Sequence, residues 1–465
     1  MTEQKNTQVA GMTIMGMIFF LFGFVTTFNI TLADQFKAVF ELENWQAQLV
    51  NGAFFFSYFV FSFLCGGIIK RIGYKGGVML GLALVALGSF LFFPAAKALS
   101  YPFFLVAIFV MATGVVFLQV AANPYVTAIG PSETASGRLT FTQSLNSIAT
   151  YIAPIIASVF VFKEAAEAAL GTVMTEAAKL EAASEAAAAV PVPFIIIGIV
   201  VVIIAVIIGI MKLPLIPTKG VERKSVWRYS HVVLGALAIF FYVGAEVGTA
   251  AYIQVYLQEV ADFTKTQAAK MIALYWGGAM VGRFYGAYML SNVEKSKKYM
   301  YTVIVLALAI FVGWYVRQES IVDGLIFAGI ALVNYLLMQL GRGDTKRTLA
   351  VFGMVAMLLL VTVMVTSGQV VLWVGISIGL FNSIMFPSIF ALGVDGLDRG
   401  ELSMASGLIN TLIVGGAVLP VIMGGIADLS PVLADGTHTA RYTFIVPIVS
   451  YAYIVFFALV GSKHK

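Results

Sequence analysis

From Phe240 to Tyr256 the chain reads FFYVGAEVGTAAYIQVY, and Glu246 is its one charge. A charged group at the centre of a bilayer costs about 2.5–3.5 kcal/mol on insertion scales, so a carboxylate in such a run faces a cavity or a partner. Three chemistries suit it. It can carry a proton; it can stay ionised and ligate sodium, with threonine or backbone oxygens completing the shell; it can accept hydrogen bonds from the hydroxyls of a polar ligand. A fourth use is structural, a protonated glutamate bonding a neighbouring helix. Tyr242, Glu246 and Thr249 are spaced by four and three and therefore share one helix face. Asp34, at the outer end of the first apolar run, is a second ion-coupling candidate, with a solvated helix end as its plain alternative.

The other polar residues in apolar surroundings are mostly amides: Asn29, Gln119, Asn123, Gln143, Asn146, Asn382 and Asn410. An amide offers a donor and an acceptor together, which suits a neutral polyol. Tyr275, Trp276 and Phe386 offer flat apolar faces to a sugar ring. Any one of these amides serves equally well as glue between helices. Their collection in a few runs together with Tyr242 and Glu246 favours a site. His231, His438 and His464 are scattered, so no metal cluster is visible. Cys65 is the sole cysteine and excludes an intrachain disulfide. No GxxxxGK[ST] loop is present, so nucleotide-driven work is not expected. One glutamate without a histidine or cysteine partner is too little for a membrane-embedded enzyme.

The elements that position these residues follow from composition. Hydrophobic residues make up 60% of the 465 and charged residues 11%, against about 45–50% and about 25% in soluble domains. Fourteen apolar runs, from 12–33 to 441–461, are long enough to span a bilayer as helices. The weakest are 299–316 and 321–340, joined by the short turn Arg317–Ser320. The first run lacks a basic flank and a small-residue cleavage site, which argues against a cleaved signal peptide. With an even number of spans, most of the 28 lysines and arginines, Arg283 counted among them, fall on the side of both termini. That side is expected to be cytoplasmic. The net charge of +5 then reads as lipid-side bias rather than affinity for nucleic acid. The expected organisation is an all-α membrane protein. An N-terminal half, 1–213, carries an external Ala/Glu-rich insertion at 163–190. A basic cytoplasmic linker, 214–228, leads to a C-terminal half, 229–465.

The halves echo each other. FLQVAANPYVTAIG (117–130) aligns with LFNSIMFPSIFALG (380–393), matching Pro124 to Pro387, Gly130 to Gly393 and Gln119 to Asn382. The following spans carry Asn146 and Asn410. A mid-span proline removes a backbone hydrogen bond and kinks the helix. The freed carbonyl can then line a cavity. Parallel repeats with a site near the midplane are a common transporter plan.

Along nearly its whole length the chain resembles the fucose–galactose–glucose:proton symporter family of the major facilitator superfamily. FFLFGFVTTFN (19–29), GGIIKRIGYKGG (66–77), LQVAANPYVTAIGP (118–131) and RLTFTQSLNS (138–147) carry the likeness in the first half. FFYVGAEVG (240–248), YWGGAMVGRF (275–284), GLFNSIMFPSIFALG (379–393) and IVGGAVLPVIMGGIAD (413–428) carry it in the second. The resemblance implies a major facilitator fold of two pseudo-symmetric six-helix bundles. Here an inserted helical hairpin, 298–341, adds to them, for about fourteen transmembrane helices. It further implies secondary active import of a monosaccharide, a hexose or aminosugar, by ion-coupled alternating access. The polar residues in the runs make Asn29, Gln119, Asn123, Gln143, Asn146, Tyr242, Glu246, Trp276 and Asn382 the substrate-side candidates, with Glu246 and Asp34 for ion coupling; the resemblance adds that Asn146 matches a substrate-side asparagine of the family. Where the fucose branch carries acids after its first-span asparagine and before the AANP block, this chain has Ile30 and Gln119. Lys70 stands where the superfamily's loop between spans two and three usually has an acid. Those departures leave the coupling ion open between H+ and Na+ and argue against simple L-fucose–proton symport. No cofactor and no nucleic-acid partner are expected, only a sugar and the bilayer of a bacterial inner membrane, with the protein acting as a monomer. A membrane sugar sensor without transport and an efflux transporter for another small polar solute remain the alternatives.

Overall fold

The structure, a computed structural model, describes the chain apart from Met1 and residues 31–35, 37–38, 41–45, 47–48, 161–189, 212–224, 261–264, 318–319, 399–400, 429–438 and 464–465. Asp34, the Ala/Glu-rich insertion and most of the basic linker thus lie outside the described residues. The described residues contain helices, turns and no strand. This is the expected result for apolar runs in lipid, where each backbone N–H and C=O must be satisfied within its own segment.

Eleven helical stretches among the described residues have the length and hydropathy of a membrane span, some of them joining two of the helices named below. Helix α1 is Thr2–Ile30, α2 Leu49–Lys97, α3 Tyr101–Ala128, α4 Ala135–Phe160 and α5 Pro191–Ile210. Then come α6 Ser230–Val260, α7 Lys265–Met289, α8 Lys295–Val316, α9 Ile321–Gln339 and α10 Thr345–Val365. The last five are α11 Gln369–Asn382, α12 Met385–Gly393, α13 Leu402–Thr411, α14 Gly415–Asp428 and α15 Ile445–Phe456. Helix α5 shows why such runs are spans. It begins on Pro191, whose fixed φ suits a first helical position. It is apolar all round, and Ile196, Ile199, Ile203 and Val206 are exposed on it, as a lipid-facing surface requires.

The chain divides into two compact units. The first is Met1–Tyr125, Leu145–Val221 and Arg399–Thr411; the second is Val126–Ser144, Glu222–Asp398 and Leu412–Lys465. In the first unit, α2 holds two expected spans and the loop between them, and reverses at Gly73. The φ of 79° there is open to glycine and costly for other residues. Helices α2 and α3 touch backbone to backbone: a Cβ on Gly114 would lie 2.6 Å from the Gly81 carbonyl oxygen. Phe194 of α5 stacks on Phe92 of α2, with ring centroids 3.6 Å apart. Helix α13 also crosses α2 closely, because Gly407 faces the Ser62 carbonyl and Gly66 the Ser403 carbonyl.

In the second unit, α6 is central, packed by α7, α12, α14 and α15. Helix α10 packs on α11 and α15, whereas α8 and α9 pack mainly on each other and on α7. Gly313 and Gly324 bring α8 and α9 together, with a Cβ on Gly313 falling 2.9 Å from the Gly324 Cα. Their turn is fixed by Ser320, whose side chain caps the Asp323 N–H, and by an Arg317–Asp323 ion pair of 2.9 Å. The two repeat prolines behave differently. Pro124 lies within a continuous α3, whereas the matching span breaks between Asn382 and Met385, just before Pro387.

Arg138 holds the turn between α3 and α4 in this unit. It donates to the carbonyls of Val126 (3.1 Å), Thr127 (2.7 Å) and Pro131 (2.9 Å) and to Thr134 Oγ1 (2.6 Å). Hydrogen bonds from a charged donor contribute about 1.5–3 kcal/mol each, with strong overlap when one group makes several. Arg138→Ala is therefore expected to lower stability by about 2–3 kcal/mol, read as a lower melting temperature in detergent. Arg138→Lys is expected to recover under half of the loss, since an ammonium cannot span this fan of acceptors. Equal melting of the lysine variant and the parent protein would show that a point charge is enough.

Candidate functional site

The broken span is where the chemistry gathers. Without an N–H, Pro387 leaves the carbonyl four residues earlier, at Ser383, without its helical donor. Arg283 Nε of α7 donates to that carbonyl at 3.3 Å. The neighbouring Asn382 carbonyl accepts from the Tyr242 hydroxyl at 3.1 Å. The freed Ser383 carbonyl and the Asn382 carbonyl thus take part in a polar cluster.

Asn382 is the hub of the cluster. It is 0% exposed. Its Nδ2 donates to Tyr275 Oη at 2.6 Å and its Oδ1 accepts from Tyr451 Oη at 2.6 Å. Tyr275 in turn donates to the Glu246 carbonyl at 3.0 Å. Asn382, read from the sequence as a substrate-side residue, bonds a tyrosine at each end of its amide.

Glu246 is 8% exposed. Arg283 Nη2 lies 3.6 Å from its Oε1, with both side chains nearly buried. Among the described residues that oxygen has no hydrogen-bond partner. Tyr242, one turn away on the same helix, lies beside the carboxyl. Coulomb attraction at this separation is on the order of 4 kcal/mol at an effective dielectric of about 20, offset by the cost of desolvating both ions. The arrangement holds two opposite charges together in a ring of tyrosines: Tyr242, Tyr275 and Tyr451. Trp276, Met280 and Arg283 share one face of α7 by spacings of four and three. Trp276 is 36% exposed and meets Tyr275 edge-on, with centroids 5.4 Å apart. Phe386 lies beside Tyr242, its ring centroid 6.4 Å away.

The first unit holds a second polar set. Asn29 on α1 and Asn123 on α3 are both 0% exposed. Among the described residues, neither the amide nitrogen nor the amide oxygen of either has a hydrogen-bond partner. Buried amides without partners are rare and costly. Gln119, one turn before Asn123, donates to Tyr58 Oη at 2.9 Å. Asn146 on α4 donates to the Phe19 carbonyl at 3.0 Å, where Gly23 lets α1 come close. Asn410, the repeat counterpart of Asn146, is buried and donates to Ser406 Oγ at 3.2 Å. Gln143, in the Val126–Ser144 segment of the second unit, is buried. Among the described residues no group of three or more His, Cys, Asp or Glu is placed to hold a metal ion.

Sequence reasoning placed Arg283 among loop-side cations. The structure leaves its side chain only 12% exposed and pairs it with Glu246. The signal was available: a lone arginine inside an apolar helix, YWGGAMVGRFYGAYM, calls for an acid as much as a lone glutamate calls for a base. Tyr58 and Tyr451, mid-span in the runs 46–69 and 441–461, were also missed, because one hydroxyl on a large apolar ring stands out less than an amide or a charge.

The family model described as Major Facilitator Superfamily matches residues 12–333. A glucose/galactose transporter of Brucella abortus biovar 1 (strain 9-941) is 38% identical over 469 residues, covering 99% of this chain and 96% of that protein. An L-fucose-proton symporter of Escherichia coli (strain K12) is 28% identical over 475 residues, covering 99% and 95%. A crystal structure of the E. coli fucose:proton symporter superposes with a TM-score of 0.76 at 25% identity, covering 98% of this chain and 100% of the other. These relatives are transporters, not enzymes. The chain belongs to the major facilitator superfamily, in the branch that holds the glucose/galactose transporters and the L-fucose–proton symporters.

Proposed function

We propose that this protein imports a hexose of the glucose or galactose type by proton-coupled alternating access. Four buried amide atoms, those of Asn29 and Asn123, carry the reading, because among the described residues no protein group satisfies them. Sugar hydroxyls supply the matching donors and acceptors. Gln119 and Asn146, in the same unit, extend the set. The names of the relatives support a hexose and, through the L-fucose-proton symporter, a proton. Glu246 is the coupling acid in this reading. The protein sits in a cytoplasmic membrane with both termini inside, as fourteen spans of which the 298–341 hairpin is an insertion.

The test is uptake of labelled D-glucose, D-galactose and L-fucose into proteoliposomes under a proton or a sodium gradient. A proton gradient is expected to concentrate a hexose. Glu246→Gln is expected to equilibrate the same sugar at a measurable rate and never to accumulate it, because no proton is carried. Accumulation driven by sodium alone would remove the proton assignment. Absence of flux for every sugar would remove the import reading.

A further inference from the structure

Gln119 and Asn123 lie one turn apart on α3 and share a face, but their amides are engaged differently. Neither end of the Asn123 amide has a hydrogen-bond partner among the described residues. Gln119 has one partner there: its Nε2 donates to Tyr58 Oη of α2 at 2.9 Å. Gln119 is half-buried, whereas Tyr58 is 2% exposed. All three residues belong to the first unit.

The tyrosine is the fixed member of the pair. Its ring packs against Phe54, with centroids 5.8 Å apart, and against Phe55 at 6.5 Å. Its hydroxyl sits at the tip of a rigid ring with two side-chain torsions. A glutamine is looser, and the two ends of its amide have nearly the same shape. Left alone, it can turn either a donor or an acceptor towards a ligand. The bond to Tyr58 removes that choice. One N–H is spent on α2, and the oxygen, with both lone pairs open, becomes the end that a ligand meets.

We propose that Tyr58 is a positioning residue for sugar recognition: its hydroxyl holds the Gln119 nitrogen against α2, so that Gln119 Oε1 accepts the proton of one sugar hydroxyl. This rests on the hexose reading above. Tyr58 itself does not touch the sugar. The consequence is a polarity test at one position of the hexose. A deoxy analogue lacks both the donor and the acceptor of the hydroxyl it replaces. A fluoro analogue keeps the size and a weak acceptor but has no proton to give. At the position that meets Gln119 the two analogues are equally poor, because an oxygen needs a proton. At a position that meets Asn123, whose nitrogen is open, fluorine recovers part of what deoxygenation loses. One neutral hydrogen bond corresponds to a change in Kd of about three- to tenfold.

The experiment is competition of monodeoxy and monofluoro analogues against labelled D-glucose and D-galactose on the full-length protein in nanodiscs. Gln119→Met keeps the length of the side chain without its amide. The position at which this variant abolishes the deoxygenation penalty is the one that meets Gln119. There the parent protein is expected to bind the deoxy and fluoro analogues alike, each about three- to tenfold more weakly than the hexose. Tyr58→Phe keeps the ring and frees the amide to turn its nitrogen towards fluorine. It is expected to bind the fluoro analogue about threefold better than the deoxy analogue at that position, with parent-like ratios at the others. In the Gln119→Met background, Tyr58→Phe is expected to change no ratio. A parent that prefers fluoro to deoxy at the Gln119 position offers its nitrogen to the sugar, which overturns the proposal. A Tyr58→Phe variant with every ratio unchanged, even at lower affinity, shows that Tyr58 only packs and overturns it too. If Tyr58→Phe does not fold, the fluoro and deoxy comparison in the parent decides. No position sensitive to Gln119→Met means that Gln119 does not touch the sugar; the proposal then falls and the hexose reading stands. Failure of the parent to bind either hexose overturns both readings.

Discussion

Asn382→Leu is expected to destabilise the protein by about 2–3 kcal/mol and to reduce transport to background. Leucine matches asparagine in size and removes both ends of its amide. Tyr275 loses a donor at 2.6 Å but still donates to the Glu246 carbonyl. Tyr451 loses the acceptor of its hydroxyl, also at 2.6 Å. A buried hydroxyl stripped of its partner costs about 1–3 kcal/mol. Typical hydrogen bonds between membrane helices contribute less, about 0.6 kcal/mol on average. This amide is unusual in serving two tyrosines where no water reaches it. The argument has an internal check, because Tyr451→Phe removes the group that Asn382→Leu strands. The double variant should melt above the single Asn382→Leu variant, and a strictly additive pair would show that the two side chains do not share one network. Transport falls for a separate reason: Tyr242 and Tyr275 flank Glu246, and with the hub gone their hydroxyls no longer fix its surroundings.

The cluster was partly legible in the sequence, residue by residue, for physical reasons. Glu246 stands out because a charge inside an apolar run is expensive. Its helix face follows from spacing alone, and Tyr242 is where that spacing puts it. Pro387 announced a freed carbonyl, and the carbonyl of Ser383 receives Arg283. Arg283 itself was hidden by its place in the run 266–290, close enough to one end to read as a snorkelling loop charge. Depth within a span depends on where the helix meets the membrane surface, and composition does not fix that. The break after Asn382 and the continuity of α3 through Pro124 were not separable, since both carry a proline after an amide. What distinguishes them is tertiary. At Ser383 a neighbouring helix supplies Arg283 as a new donor, and the sequence of the broken span does not contain that information.

The fold was easier to read than the site. The apolar runs expected at 191–213, 321–340 and 348–366 appear as helices at Pro191–Ile210, Ile321–Gln339 and Thr345–Val365. Span positions follow from hydrophobic length, a property of each segment alone. Contacts between helices are another matter. In lipid, apolar side chains gain little by leaving one hydrocarbon surface for another, so association depends on close packing at small residues. Several of the 44 glycines perform that role and several do not, and the sequence does not say which.

Gly379→Ala is the substitution expected to show this most clearly. A Cβ at Gly379 would lie against the backbone carbonyl of Tyr275, and the Tyr275 Cα would be only 3.2 Å away. Backbone on both sides cannot rotate out of the way, so α11 and α7 must separate. Overpacking of this kind costs about 1–3 kcal/mol, and more where backbone must move. The same separation stretches the Asn382–Tyr275 bond of 2.6 Å and the Arg283–Ser383 bond of 3.3 Å, which join these two segments. Stability and transport should therefore fail together, with a loss of at least about 3 kcal/mol and no sugar accumulation. Two comparisons isolate the cause. At Gly278 the nearest atoms to an added Cβ are 3.2 Å away, one of them in the Leu380 side chain, so alanine there is expected to cost far less. At Gly329, exposed on α9 with nothing within 4 Å, alanine is expected to raise stability by up to about 1 kcal/mol through helix propensity. Melting temperatures in the order Gly329→Ala, Gly278→Ala, Gly379→Ala, highest first, would tie the loss to contact distance rather than to glycine replacement as such. A Gly379→Ala protein that melts and accumulates sugar like its parent would mean that the approach of α7 to α11 does not hold the Glu246–Arg283 pair in place.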